Sequence, residues 1–346
     1  RFWGLQGYLS EGREWLEAAL AAAGAEDVSL RARGYLSLGN VCWMQSDLPA
    51  AEHAFAASLA LYREISDPYG TAQALNGLGI THMEAAHYAE ARPHLAESLA
   101  LFRALGDQER IATLLNNYAI AVEGVGDRAQ ARQAFTESMA LQQALGNDAG
   151  YALTFNNLAR LDFEEGKQAA AYEAFVQSAA LNRTLGNVVI LSSALTYLGL
   201  IAAEQGNCAT AREHLAEALA LGQQLGSAKA IVDTLEGWAF LAFQSEQPLV
   251  AVQFFAAAMR KREQSHYFQE ADGTALAATC EYLRCVLSPD AWASAWQRGG
   301  HADLNMLVQE LQTILADRSR RSAQAEQQQV ERTHRPRAND QRPRKP

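Results

Sequence analysis

The chain restates itself every forty residues. LAESLALFRALGD at 95–107 returns as FTESMALQQALGN at 135–147, as FVQSAALNRTLGN at 175–187 and as LAEALALGQQLGS at 215–227. On that period one column is alanine throughout: Ala51, Ala91, Ala131, Ala171, Ala211 and Ala251. Four residues on stands a large apolar residue (Phe55, Leu95, Phe135, Phe175, Leu215, Phe255). Three further on stands a small one (Ser58, Ser98, Ser138, Ser178, Ala218, Ala258). Earlier in each unit comes Gly39, Gly79, Ala119, Ala159, Gly199 or Ala239. A fixed period of this length means a solenoid, because such a unit buries its apolar face only by stacking on its neighbours.

Each unit holds two helices. The Ala–x3–Phe–x2–Ser spacing puts all three residues on one helical face. Small residues there let a neighbouring backbone approach, and the large one fills the space beside it. Gly126-Asp127, Gly166-Lys167 and Gly206-Asn207 separate the two helices. Gly106-Asp107, Gly146-Asn147, Gly186-Asn187 and Gly226-Ser227 close the unit, glycine being the usual residue just past a helix end. Trp15 falls forty residues before Phe55 and Ala18 forty before Ser58, so Glu11 to Ala23 reads as a second helix. Its first helix would precede Arg1, and the chain reads as a piece of something longer.

Beyond about residue 268 the period is lost. Ala271 to Leu287 reads as a helix. Ser288-Pro289-Asp290 opens a short one through Trp292 and Trp296, with Gly299-Gly300 as its stop. Another over Leu304 to Leu315 is apolar at 304, 307, 308, 311, 314 and 315. These read as a cap on the open end of the solenoid. Net charge is −10, but residues 317–346 carry nine Lys/Arg against four Asp/Glu, so residues 1–316 carry −15. The acidic body argues against a nucleic-acid groove and leaves only a weak contact through the basic tail. Rich in Arg, Gln and Pro and without apolar period, that tail is expected to be disordered. No run of 18 apolar residues occurs, and the four cysteines are scattered without a CxxC pair, which suits a reducing, cytoplasmic setting.

Tyr35–x2–Leu38-Gly39 followed by Ala51–x3–Phe55, and Leu75–x2–Leu78-Gly79 followed by Ala91–x3–Leu95, resemble the tetratricopeptide repeat (TPR) pattern. The period is forty rather than thirty-four and the proline late in the second helix is missing, so the resemblance is to long-repeat arrays. Together with RFWGLQGYLSEGREWLEAAL at the start and SPDAWASAWQRG followed by DLNMLVQELQTIL near the end, the arrangement resembles the C-terminal TPR arm of bacterial LuxR-type or ATPase transcriptional regulators. The resemblance implies an all-α, right-handed superhelix of helix pairs, and an ATPase module upstream of residue 1.

The chain itself holds no GxxxxGK[ST], GxSxG, HExxH or GxGxxG. His82, His87 and His94 lack the i,i+4 spacing of a metal pair and read as surface polar residues. No catalytic residue, metal ligand or cofactor is expected. One column carries a recognition signal: Asn76, Asn116 and Asn156, with Asn117 and Asn157 beside the last two. The phrases ALNGLG, LLNNYA and TFNNLA resemble those of kinesin light chains and bacterial peptide-sensing TPR receptors, which implies asparagines facing a concave groove. An amide side chain both donates and accepts, as a peptide backbone does. The same column suits a tie between neighbouring first helices equally well. Ile80, Met83, Ile120, Arg160 and Phe163 fall on the same presumed face.

The expected organisation is therefore a partial repeat at 1–24, six repeats over 25–268, capping helices over 269–316 and a basic disordered tail at 317–346. The expected function is a non-enzymatic scaffold binding a peptide or protein partner in its groove, as the sensory arm of a transcriptional regulator. The alternative is a stand-alone TPR adaptor or peptide receptor.

Overall fold

A computed structural model describes residues 8–24, 27–265, 275–317 and 320. A leading helix, α1 (Leu9–Ala22), precedes six helix pairs. These are repeat 1, α2 (Val28–Met44) and α3 (Leu48–Glu64); repeat 2, α4 (Pro68–Glu84) and α5 (Tyr88–Leu105); and repeat 3, α6 (Gln108–Gly124) and α7 (Arg128–Ala144). Repeat 4 is α8 (Asp148–Glu164) and α9 (Gln168–Leu185), repeat 5 is α10 (Val188–Glu204) and α11 (Cys208–Leu225), and repeat 6 is α12 (Ala228–Gln244) and α13 (Pro248–Ser265). Then come α14 (Ala275–Val286), α15 (Pro289–His301) and α16 over 304–317. The fold is an all-α, TPR-like solenoid with helices packed on its C-terminal end.

The forty-residue period divides into two steps of twenty. Helix starts fall at Asp27, Asp47, Asp67, Asp107, Asp127, Asn147, Asn207 and Ser227, whose side chains each accept a hydrogen bond from a first-turn backbone N–H. The residue just before each cap takes a left-handed conformation from 46 to 246, also every twenty residues. Seven of these are the expected glycines. The other four are Ser46, Ser66, Ala86 and Glu246, with φ of 55–61°.

All six residues of the alanine column are fully buried. Phe55 shows why its neighbours are small: a Cβ on Gly39 would lie 2.7 Å from its ring and one on Gly77 2.5 Å. The large residue of each second helix thus wedges between the first helices of its own repeat and the next. Ser58, Ser98 and Ser138 donate to the carbonyls of Ala32, Ala72 and Ala112 at 2.7–2.9 Å. In repeat 5 the bond is reversed, since the second helix has Ala218 there and Ser192 of the first helix donates to its carbonyl at 3.1 Å.

The C-terminal helices close the end of the array, with Leu283, Ala295, Leu307, Val308, Leu311 and Leu315 joining the core of repeats 5 and 6. Ser288 caps α15 as expected. Gly299-Gly300 does not stop that helix, which runs on to His301. Gly299 instead provides a close approach, since a Cβ there would lie 2.1 Å from the Gln253 carbonyl oxygen. The segment expected to start a helix at Ala271 and most of the tail lie outside the described residues.

Candidate functional site: the first-helix face

Successive first helices lie against one another in repeats 1–3 and 4–6 and are bridged by side chains between repeats 3 and 4, whereas successive second helices meet through long side chains. The outer seam is built from Arg63–Glu97 and Arg103–Glu137 at 2.7 Å and Arg183–Glu217 at 2.5 Å. The array therefore curves toward its first helices. Burial raises the Glu84 carboxyl of repeat 2, and the charge of Lys229 in repeat 6 acts in the opposite sense.

Asn76, Ile80, Met83, Asn117, Ile120, Asn157, Arg160 and Phe163 are all half-buried on this face. Asn116 and Asn156 are deeper, each 5% exposed, and lie in the seam between first helices. Asn157 Nδ2 donates to Asn116 Oδ1 at 2.9 Å, and Asn156 Nδ2 to Ser193 Oγ at 3.3 Å. Thr196 and Thr234 continue the seam, their hydroxyls 3.1 Å apart. Asn76 Oδ1 is buried without a hydrogen-bond partner among the described residues.

Arg160 does not stand free. Its guanidinium forks onto both oxygens of Glu123, at 3.0 and 2.5 Å, and reaches Glu164 at 2.6 Å. Burial opposes the arginine charge, but Glu123 more than restores it, so the guanidinium stays firmly protonated. Burial raises the Glu123 carboxyl and Arg160 pulls it back. Phe163 meets Tyr197 edge-on at 5.4 Å, while Tyr197 stacks on the core ring of Phe175 at 4.8 Å. Burial drives the Tyr197 hydroxyl above its ordinary range. At the far end Glu236, in the asparagine column, bonds Arg262 at 2.7 Å, and burial pushes its carboxyl up to about 7.

Sequence reasoning missed Glu123, Tyr197 and the Glu236–Arg262 pair. The first had a signal: residues 37 apart on successive first helices touch, so opposite charges at that offset are readable. His82 stacks on His94 with ring centres 5.5 Å apart and lies 3.9 Å from Glu52. Among the described residues no group of three His, Cys, Asp or Glu is arranged to hold a metal ion, and no helix is long and apolar enough to cross a membrane.

Residues 30–104 and 70–144 match the tetratricopeptide repeat family. No curated protein matches the chain. Solved structures share the architecture at low identity. BtubC from P. vanneervenii is 18% identical with a TM-score of 0.52, over 64% of this chain and 92% of that one. A signal-transduction ATPase with a tetratricopeptide repeat sensor from Pyrococcus horikoshii is 14% identical with a TM-score of 0.57 over 82% of this chain. The chain spans 42% of that protein's length. A Rap protein in complex with Competence and Sporulation Factor is 11% identical with a TM-score of 0.57, over 85% of this chain and 81% of that one. At these identities the likeness is one of fold. The TPR scaffold is of a kind suited to protein interaction.

Proposed function

We propose that the first-helix groove binds an extended peptide or a segment of a partner protein, and that the chain is the sensory arm of an ATPase-type transcriptional regulator in the cytoplasm. The observation carrying this is the row of half-buried amide, aliphatic and aromatic side chains from Asn76 to Tyr197 on successive first helices. Amides there offer a backbone both donor and acceptor, and Ile80, Met83, Ile120 and Phe163 offer apolar contact. Arg160 serves to position Glu123 and Glu164 rather than to seize an anion. Binding then changes how the arm lies against an ATPase module elsewhere in the protein; the Pyrococcus protein's name pairs an ATPase with a tetratricopeptide repeat sensor. A second reading, a stand-alone peptide receptor, draws support from the Rap complex, whose length the chain nearly spans.

Peptides selected from a random displayed library against the full chain test the groove. Met83→Ala and Asn117→Ala should each weaken a selected peptide by about 1–2 kcal/mol, whereas Arg183→Ala on the outer seam should leave it unchanged. Peptides indifferent to both groove variants would refute the assignment. The coding sequence upstream of Arg1 separates the two readings, since only the first requires a GxxxxGK[ST] loop there.

A further inference from the structure

Repeat 4 is built differently from its neighbours. The residues buried in α8 are Ala152, Thr154, Asn156, Ala159 and Leu161, with one large apolar side chain among them. In α6 they include Ile111, Leu114, Leu115 and Val122, and in α10 Ile190, Leu191, Leu195, Leu198, Leu200 and Ile201. Where repeats 1 and 2 bury Tyr62 and Phe102, the same column in repeats 3 and 4 holds Gln142 and Asn182. Both amide oxygens, Gln142 Oε1 and Asn182 Oδ1, are buried without a hydrogen-bond partner among the described residues. A buried oxygen left in this way is a local cost that an apolar ring in the same place does not carry.

Two further seams change character here. The outer Arg–Glu series is interrupted between α7 and α9, where both of its columns hold an uncharged glutamine, Gln143 and Gln177. Beside the buried Ser138–Thr154 hydroxyl contact at 3.2 Å, α7 meets repeat 4 through a less exposed ionic cluster: Arg132 reaches Asp162 and Glu165 at 2.7 Å each, and Lys167 reaches Glu165 at 2.6 Å. The apolar core divides within repeat 4, as it does within repeats 2 and 5: Leu161 packs with the cluster of repeats 2 and 3 and Ala159 with that of repeats 4 and 5.

We propose that repeat 4, residues 148–185, is the mechanical joint of the array, a polar hinge between two better-packed halves. In a solenoid, stability is a sum of repeat and nearest-neighbour interface contributions, so a weak interior unit opens without unfolding either flank. Charge pairs and hydrogen bonds can exchange partners with water during such opening. Asn157, Arg160 and Phe163 lie on α8, so the joint is also part of the groove. What would drive it, a ligand bridging the halves, rests on the groove reading; the joint itself does not.

Hydrogen exchange on the full chain without ligand tests it directly. Core amides of α8 and α9 should exchange about tenfold or more faster than those of α6 and α10. That gap should persist in about 0.5 M NaCl, which screens the outer Arg–Glu pairs of the other repeats as well as the Arg132 cluster. Gln142→Tyr copies the Tyr62 arrangement, in which the ring lies over Gly70 as Gln142 lies over Gly150, and should narrow the gap. Should that variant misfold, the surface pair Gln143→Arg with Gln177→Glu restores the outer seam and should narrow it too. Equal or greater protection in repeat 4 overturns the proposal, as does a gap that every folded variant leaves unchanged. Either outcome leaves peptide binding by the groove untouched.

Discussion

Asn156→Ala separates an asparagine that holds the array together from one that waits for a ligand. In the folded chain its Nδ2 donates to Ser193 Oγ at 3.3 Å, and its Oδ1 accepts from Ser178 Oγ at 3.2 Å. The first bond is long and partly open to water, worth less than about 1 kcal/mol. The second matters more. Ser178 is fully buried, and its oxygen already accepts from Asn182 Nδ2 at 3.2 Å, so removing Asn156 strands the hydroxyl proton. A stranded buried donor costs about 1–3 kcal/mol, and the two losses together come to about 1–4 kcal/mol. Asn157→Ala loses one 2.9 Å bond to Asn116 and should cost about 1 kcal/mol. Asn117→Ala gives up only a 3.4 Å contact with Asn116 and should stay within about 0.5 kcal/mol. Urea unfolding followed by circular dichroism, with no ligand present, should rank the midpoints in that order. A wild-type midpoint for Asn156→Ala, or equal damage from Asn117→Ala, would refute the division of the column into seam and groove.

Ser192→Ala should cost about 1 kcal/mol, and adding Ala218→Ser should recover most of it, because the new hydroxyl can face the carbonyl of residue 192 as Ser58 faces that of Ala32; additive effects in the double-mutant cycle would rule this out. Ala86→Gly should stabilise the chain by about 0.5–1 kcal/mol by relieving a left-handed alanine, seen as a higher melting temperature, and a lower one would count against the strain at φ 58°. Glu236 holds its proton more tightly folded than unfolded, so its contribution is full below the ordinary carboxyl pKa and is lost as pH rises through about 7. Wild type should thus lose about 3 kcal/mol relative to Glu236→Gln between pH 4 and pH 8, and parallel stability curves across that range would dismiss the buried charge.

Repetition made the architecture readable. A column that is alanine six times states where backbones meet, and the structure buries every one of those residues. The asparagine column was visible in the same way, yet two of its possible uses, a groove donor and a seam between helices, require the same residue type at the same spacing. Only the hydrogen-bond partners distinguish Asn156 from Asn157. Gly299 misled because glycine permits both a helix stop and a close approach, and the residue that decides between them, Gln253, is far away in sequence. Ser46, Ser66, Ala86 and Glu246 stand in the glycine columns of the repeat, but their residue types carried no signal for a left-handed turn, since the flanking helices impose it on side chains that would not choose it. The Glu123–Arg160 fork was missed because it joins two different columns, at an offset of 37 residues rather than forty.

The contact between successive first helices also sets a scale. Packed helix axes lie about 8–10 Å apart, and an extended chain advances about 3.3 Å per residue, so where first helices pack directly, as in repeats 5 and 6, a peptide running along the inner face passes about three residues for each repeat. In a β-strand every third side chain points to the opposite side, so equivalent positions on consecutive repeats would meet alternating faces of the ligand. A polyproline II helix turns once in three residues with a rise of about 3.1 Å each, and presents the same face at every repeat. The inner face is a ruler graduated in threes, in phase with a ligand of threefold twist and out of phase with a flat one.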